Sequence, residues 1–152
     1  MRIPEELYAR ICGIMPIPCV DIIATDEFDR ILLVKRRNEP AIGEWWFPGG
    51  RVCFGETREQ TVVRKLKEEC GLEAVNIEEI GTYDLILPLS TKDNLSHGIT
   101  TVFHAYVDDV KSLKLDDQSK SAQWRPAKGW LSENLHEFIL QQIFSLKENN
   151  KA

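Results

Sequence analysis

Apolar residues recur along the chain with two periods, and each change of period marks an element. In "PEELYARICGIM", Pro4 suits a first helical turn and Leu7 and Ile11 share one face, which predicts a short helix. "PCVDIIAT" and "RILLVKRR" are β-rich runs on either side of the turn-forming "DEFD", a hairpin pattern. "NEPAIGEWWFPGG" carries two prolines and three glycines, so it is predicted as loop, leading into a short strand in "GRVCF". Thr57 with Gln60 three residues on matches a capping box, and Gly71 suits a left-handed stop, which delimits a helix from Arg58 to Cys70. Strands are predicted in "NIEEIGTYDLIL", "ITTVFHAYV" and "SAQWRP". A last amphipathic helix follows Ser132, with Leu135, Phe138, Ile139, Ile143 and Leu146 at helical spacing.

Strands that precede, separate and follow the helices indicate an α/β or α+β fold, most simply a mixed sheet sandwiched by helices. The 152 residues, 43% apolar and 28% charged, suffice for one core, and no linker or repeat divides them. One domain over 1–152 is expected.

A net charge of −5 argues against a general nucleic-acid binder, which needs a basic stripe to displace counterions, but leaves room for a local phosphate site. No stretch approaches the length of a membrane span, and "MRIPEELYAR" lacks the pattern of a secretory leader, so no membrane partner and a cytoplasmic location are expected. Cys12, Cys19, Cys53 and Cys70 form no CxxC pair and are read as reduced thiols.

Turned at about 100° per residue, the helix from Arg58 to Cys70 gathers Val62, Val63, Leu66 and Cys70 on one side, and Arg64, Lys65, Glu68 and Glu69 on the other. Arg64 and Glu68 are four apart and can pair; Glu69 stands at the border of the apolar face. Taken alone, this is a solvated face with salt pairs worth a few tenths of a kcal/mol each. The glycine-rich loop just upstream changes the reading, because Gly49 and Gly50 allow close backbone approach, and backbone oxygens plus carboxylates are what Mg²⁺ prefers.

From Gly50 the sequence reads G-x5-E-x7-R, with Glu56 and Arg64 in place, and continues "RKLKEECGL" to Leu72. This resembles the box of the Nudix hydrolases, which act on nucleoside diphosphates linked to another moiety. The resemblance implies an α/β/α sandwich with a mixed central sheet, and helix glutamates holding Mg²⁺, or Mn²⁺, beside a diphosphate. Where the box usually has Glu after its Arg, this chain has Lys65. Losing one acidic ligand and gaining a cation implies fewer bound ions than usual.

"KRRNEPAIGEWWFPGGRV" is similar to the loop of a smaller branch, the GDP-mannose mannosyl hydrolases, and the likeness runs from about Val20 to Trp124. In that branch water attacks the anomeric carbon with inversion and GDP leaves. One Mg²⁺ is held by a carbonyl of the glycine turn, a helix glutamate and a glutamine; the matching positions are Gly50, Glu69 and Gln118, with Glu68 as a further ligand. Arg36, Arg51 and Arg64 are candidates to take the charge developing on the diphosphate, and Arg37 is their neighbour. The branch has a histidine base after the glutamine; here that residue is Ser119. His97, in a loop with Gly98, is the substitute, with Asp116 and Asp117 as alternatives. Asp21 matches a residue at the ligand site and equally suits a buried structural partner; Trp46 stacks a base or caps the core.

Three functions follow: a hydrolase splitting GDP-mannose or a related nucleotide sugar at carbon, a Nudix pyrophosphatase attacking phosphorus through Glu68 and Glu69, and a nucleotide-binding module without turnover. The ligand is a small nucleotide sugar in the first two. A homodimer through Trp130 and the N-terminal helix is possible by analogy with the branch.

Overall fold

The computed structural model describes residues 2–90, 94–114 and 119–149. Strands β1 (Ile17–Thr25) and β2 (Arg30–Arg36) form the expected hairpin, meeting at Thr25 and Ile31. Asp26 closes its turn: Oδ1 accepts the Phe28 and Arg30 amides at 3.0 and 2.8 Å, and Oδ2 accepts Arg30 Nε at 2.7 Å. Past that pair the two strands part. β1 runs parallel to β6 (Leu95–Tyr106), from Ile17 beside Gly98 to Thr25 beside Tyr106, and β2 runs antiparallel to β7 (Ser119–Pro126).

The gap between β1 and β2 is filled by the segment whose prolines and glycines predict loop. Trp45–Trp46 form β3 against Val34 and Lys35 of β2, and Gly49–Arg51 form β4 against Cys19, Val20 and Asp21 of β1. Pro48 O accepts the Ile22 amide at 2.8 Å between them. Proline and glycine mark a wedge in the sheet here, not a free loop, because the side chains alternate over only two or three residues and leave no period to read. β5 (Asn76–Pro88) lies antiparallel to β6 at the sheet's edge, completing the mixed sheet.

Alternation sorts the core into two layers. Val20, Ile22, Ala24, Leu32, Val34 and Phe103 pack against Val62 of helix α2 (Arg58–Lys65) and against Leu66 and Cys70 of the turn that continues it (Leu66–Cys70). Ile23, Ile31, Leu33 and Val102 pack against Phe138, Ile139 and Ile143 of helix α4 (Glu137–Asn149). Helix α1 (Glu5–Cys12) and a short α3 (Ala127–Trp130) complete the α/β/α arrangement. His136 Nδ1 accepts the Phe138 amide at 3.0 Å, so α4 begins after it and Leu135 packs from the preceding loop. Trp130, read as an exposed dimer surface, is fully buried and donates from Nε1 to Ile31 O at 2.8 Å.

Helix α2 has the predicted ends. Thr57 Oγ1 accepts the Gln60 amide at 3.1 Å, Gln60 Oε1 accepts the Thr57 amide at 2.9 Å, and Gly71 takes φ 66°. Its last turn, Leu66–Cys70, widens to a π-helix after the α-helical Arg58–Lys65. Two assignments on the wheel are corrected by burial. Val63 is 55% exposed, and Lys65, placed on the solvated side, is 7% exposed. The buried stripe is thus partly polar: Thr61, Lys65 and Glu69, four residues apart, all turn toward segment 49–56.

Candidate active site

Glu69 and the glycine turn meet. The carboxylate is 2% exposed, and its Oε2 accepts the Gly49 amide at 3.1 Å. The two glycines serve different neighbours. A Cβ on Gly49 would lie 2.2 Å from Val20 O in the adjoining strand, so Gly49 lets the wedge close on β1. A Cβ on Gly50 would meet the Lys65 side chain, 2.6 Å from Cε and 3.2 Å from Nζ. Gly50 therefore makes room for a lysine, and the ammonium sits at the turn beside the Glu69 site.

Arg64 is engaged by the protein itself. Nε bonds Glu56 Oε2 at 2.6 Å, the two terminal nitrogens reach Glu68 Oε2 at 2.8 Å, Glu56 Oε1 at 3.0 Å and Arg51 O at 2.9 Å. Glu56 also accepts the Cys53 amide at 3.1 Å and the Thr61 hydroxyl at 2.7 Å. The Arg64 guanidinium holds the Glu56 carboxyl down at about 2 against the opposing effect of burial, with the Cys53 and Thr61 bonds adding to the lowering. In turn the Glu56 bonds push Arg64 upward. This network ties the loop to the helix, so the expectation of Arg64 as a diphosphate ligand gives way to a positioning role. Glu68, half exposed, belongs to the same network and faces Arg64, not the Glu69 pocket.

On the sheet's other face Asp21 lies opposite Gly49 in register, 6% exposed. Oδ2 accepts Thr100 Oγ1–H at 2.6 Å and Oδ1 accepts Trp46 Nε1–H at 3.2 Å. Burial pushes its carboxyl up to about 6, against those two hydrogen bonds and the charge of Arg36. Trp46 is 4% exposed, stacked on Phe138 with ring centroids 5.9 Å apart. Of its two expected roles, base stacking or capping the core, the structure shows the core one, with the indole N–H donated to Asp21.

Arg36 is half-buried and bonds Pro40 O at 2.7 Å and Glu39 O at 3.2 Å. Arg51 reaches Val52 O at 3.5 Å and lies 5.6 Å above the Tyr8 ring, which brings α1 to this end of the sheet. Burial drives the Tyr8 hydroxyl up to about 12, with the neighbouring Cys12 adding to the effect, and the Cys19 thiol to about 12, with Asp21 adding. The Cys19 thiol is therefore protonated and unreactive at neutral pH.

His97 is in β6 beside Ile86, not in a loop. Val20, Thr101 and Gly50 lie in one row across the sheet, and His97 is four residues from Thr101, roughly 13 Å along the strand. It is therefore displaced from the Glu69 pocket and is corrected as the substitute base. The backbone of Ser119 lies beside Arg36; Gln118, Asp116 and Asp117 fall outside the described residues. Lys65 is the functional candidate that sequence reasoning missed as a site residue, although its departure from the box was the signal.

The donor set at the turn suits a divalent ion. Glu69 supplies a buried carboxylate at a backbone turn, and Mg²⁺ is commonly held by one or two carboxylates completed by water and phosphate oxygens. That fits a single ion. Among the described residues no three His, Cys, Asp or Glu side chains converge on a metal-sized site. Also among them, no helix is long and apolar enough to cross a membrane.

Residues 15–143 match the NUDIX domain. The chain is 30% identical over 148 residues to the low-salt glycan biosynthesis protein Agl8 of Haloferax volcanii, covering 95% of this chain and 91% of that protein. It is 38% identical to an ADP-ribose pyrophosphatase of Methanocaldococcus jannaschii over 70% of this chain and 61% of that one. The fold resembles the NUDIX domain of Shewanella oneidensis NrtR complexed with ADP ribose, at TM-score 0.73 and 25% identity over 97% and 99% of the two chains. With the box, the helix ends, the wedge and the mixed sheet all in place, the chain belongs to the Nudix family, whose hydrolases act on nucleoside diphosphate derivatives and generally use a divalent metal such as Mg²⁺.

Proposed function

We propose that this chain is a Mg²⁺-dependent hydrolase of nucleoside-diphosphate sugars that takes GDP-mannose or a close relative, releasing the nucleoside diphosphate and the free sugar. The observation that carries this reading is the donor set at the turn: one buried carboxylate, Glu69, on the Gly49 amide, with a lysine where a further carboxylate is usual. A single hard cation and fixed cationic side chains suit stabilisation of a departing diphosphate, with fewer ions to activate water against phosphorus. When bound, the ion supplies charge neutralisation on the diphosphate.

The protein's own groups do the rest. Glu69 is fixed by the Gly49 amide, so its carboxylate is held at the turn without a rotamer search. Arg36 and Arg51, at the β2 and β4 ends beside the turn, provide guanidinium donors for phosphate oxygens. Arg64 and Glu56 keep the turn in register with α2. The glycan-biosynthesis relative supports a sugar-nucleotide ligand.

Turnover in ¹⁸O-labelled water tests the proposal. Label in the sugar with unlabelled nucleoside diphosphate is expected, and chelation of the metal is expected to stop the reaction. The second reading, attack at phosphorus, is favoured by the ADP-ribose pyrophosphatase relative, and it places the label in a nucleoside monophosphate or a sugar phosphate instead.

A further inference from the structure

Lys65 is buried at 7% exposure, yet no carboxylate among the described residues pairs with it. Its stem is covered, while the ammonium is not among the fully buried polar atoms left without a partner and keeps contact with solvent at the turn. A methionine would fill the same volume without placing a charge there. Two further features tie the lysine to the ligand site. Its Cδ, Cε and Nζ all lie within 3.2 Å of where a Gly50 side chain would begin, so residue 50 has to be glycine for the lysine to lie there. It also stands between Thr61 and Glu69 in the polar row of α2, one turn from the carboxylate that grips the Gly49 amide.

We infer that Lys65 is a built-in cation for the ligand's diphosphate, occupying the place of a second metal ion. The inference rests on the nucleoside-diphosphate reading above. A lysine ammonium is a compact point charge with three donors, and it carries the same sign as Mg²⁺ without needing to be recruited from solution. Its charge beside Glu69 also repels an additional cation, which limits the pocket to one ion. In the free protein no carboxylate of the described residues forms an ion pair with this ammonium, and the diphosphate supplies that partner.

The opposed effects on stability and binding make the test specific. Lys65→Met keeps the stem and removes the charge. Its thermal midpoint without ligand is expected to equal or exceed that of the wild type, which also shows that it folds. Its affinity for GDP and for inorganic pyrophosphate, measured by calorimetry in excess EDTA, is expected to fall about 10- to 100-fold, the range for a lost charged hydrogen bond. In Mn²⁺ titrations followed by electron paramagnetic resonance, the wild type is expected to hold about one ion and Lys65→Glu about two.

Equal affinity of wild type and Lys65→Met in EDTA, or a wild type that already holds two ions, overturns the inference. If Mg²⁺-loaded wild type still hydrolyses a nucleotide sugar in that case, the functional reading stands without it. A wild type that binds neither probe with or without Mg²⁺ overturns both.

Discussion

The Glu69 carboxylate accepts the amide of Gly49 at 3.1 Å, joining two residues twenty apart in the chain and fixing the helix to the glycine turn. Glu69→Gln keeps an acceptor for that amide but loses the charge that holds a cation. Its Mg²⁺-dependent kcat is expected to fall by at least about a hundredfold with little change in thermal stability. Glu68→Gln breaks only a surface-facing pair with Arg64 and is expected to stay within about threefold of wild type. Steady-state kinetics of the two variants side by side checks this; equal losses would favour attack at phosphorus, with both glutamates as ligands.

The two glycines of the turn are expected to respond differently to alanine. At Gly49 the new methyl meets backbone, Val20 O at 2.2 Å, and no side-chain adjustment relieves it. At Gly50 it meets the end of Lys65, which can move. Gly49→Ala is therefore expected to cost at least about 3 kcal/mol, at the upper end of overpacking penalties, and Gly50→Ala less. Adding Lys65→Ala is expected to restore Gly50→Ala by about 1 kcal/mol, within the usual coupling of touching residues, and to leave Gly49→Ala unrelieved. Denaturant unfolding of the two pairs gives the answer.

Glu56 and Arg64 predict an acid limb of stability. The folded carboxyl titrates at about 2 against 4.5 when unperturbed. Because the folded value is depressed, its contribution is complete above 4.5 and disappears as pH falls through about 2. Glu56→Gln is expected to lose about 1–3 kcal/mol at neutral pH, since Arg64 keeps its charge without its partner, and to flatten the decline between those two pH values. Unfolding free energies of both proteins from pH 7 to 2 measure it; parallel curves would mean that the pair contributes nothing.

Much of this was legible in the sequence because it is local. The capping box of Thr57 and Gln60, the left-handed Gly71 and the Asp26 turn each depend on residues within five positions, so residue type alone decides them. The burial of Lys65 and the covering of Trp46 are not legible locally, because their surroundings come from across the fold. A wheel drawn at one angle per residue gives no place to a wedge that lands on Lys65, nor to the π turn that carries Glu69 inward. Trp46 sits among glycines and prolines that suggest an open loop, while Phe138, ninety-two residues on, covers it. His97 was placed in a loop because Gly98 follows it, yet a strand with Cys19 and Ile17 alongside accommodates that glycine without a turn.

Asp21 predicts the opposite pH response. Burial raises its folded value to about 6 from 3.8, and Thr100 and Trp46 donate to it from the two sides. A carboxyl raised on folding contributes stability that is complete below 3.8 and is lost as pH rises through about 6, so the wild type is expected to weaken across that window. Asp21→Asn cannot ionise and removes the dependence; one of the two donors then faces an amide N–H₂, costing about 1–3 kcal/mol at pH 4. At pH 8 that cost is partly offset, because the wild type then carries a buried anion. The difference in unfolding free energy between the two proteins is therefore expected to be larger at pH 4 than at pH 8. A constant difference would mean that Asp21 keeps an ordinary carboxylate pKa and that its two donors, together with Arg36, outweigh burial.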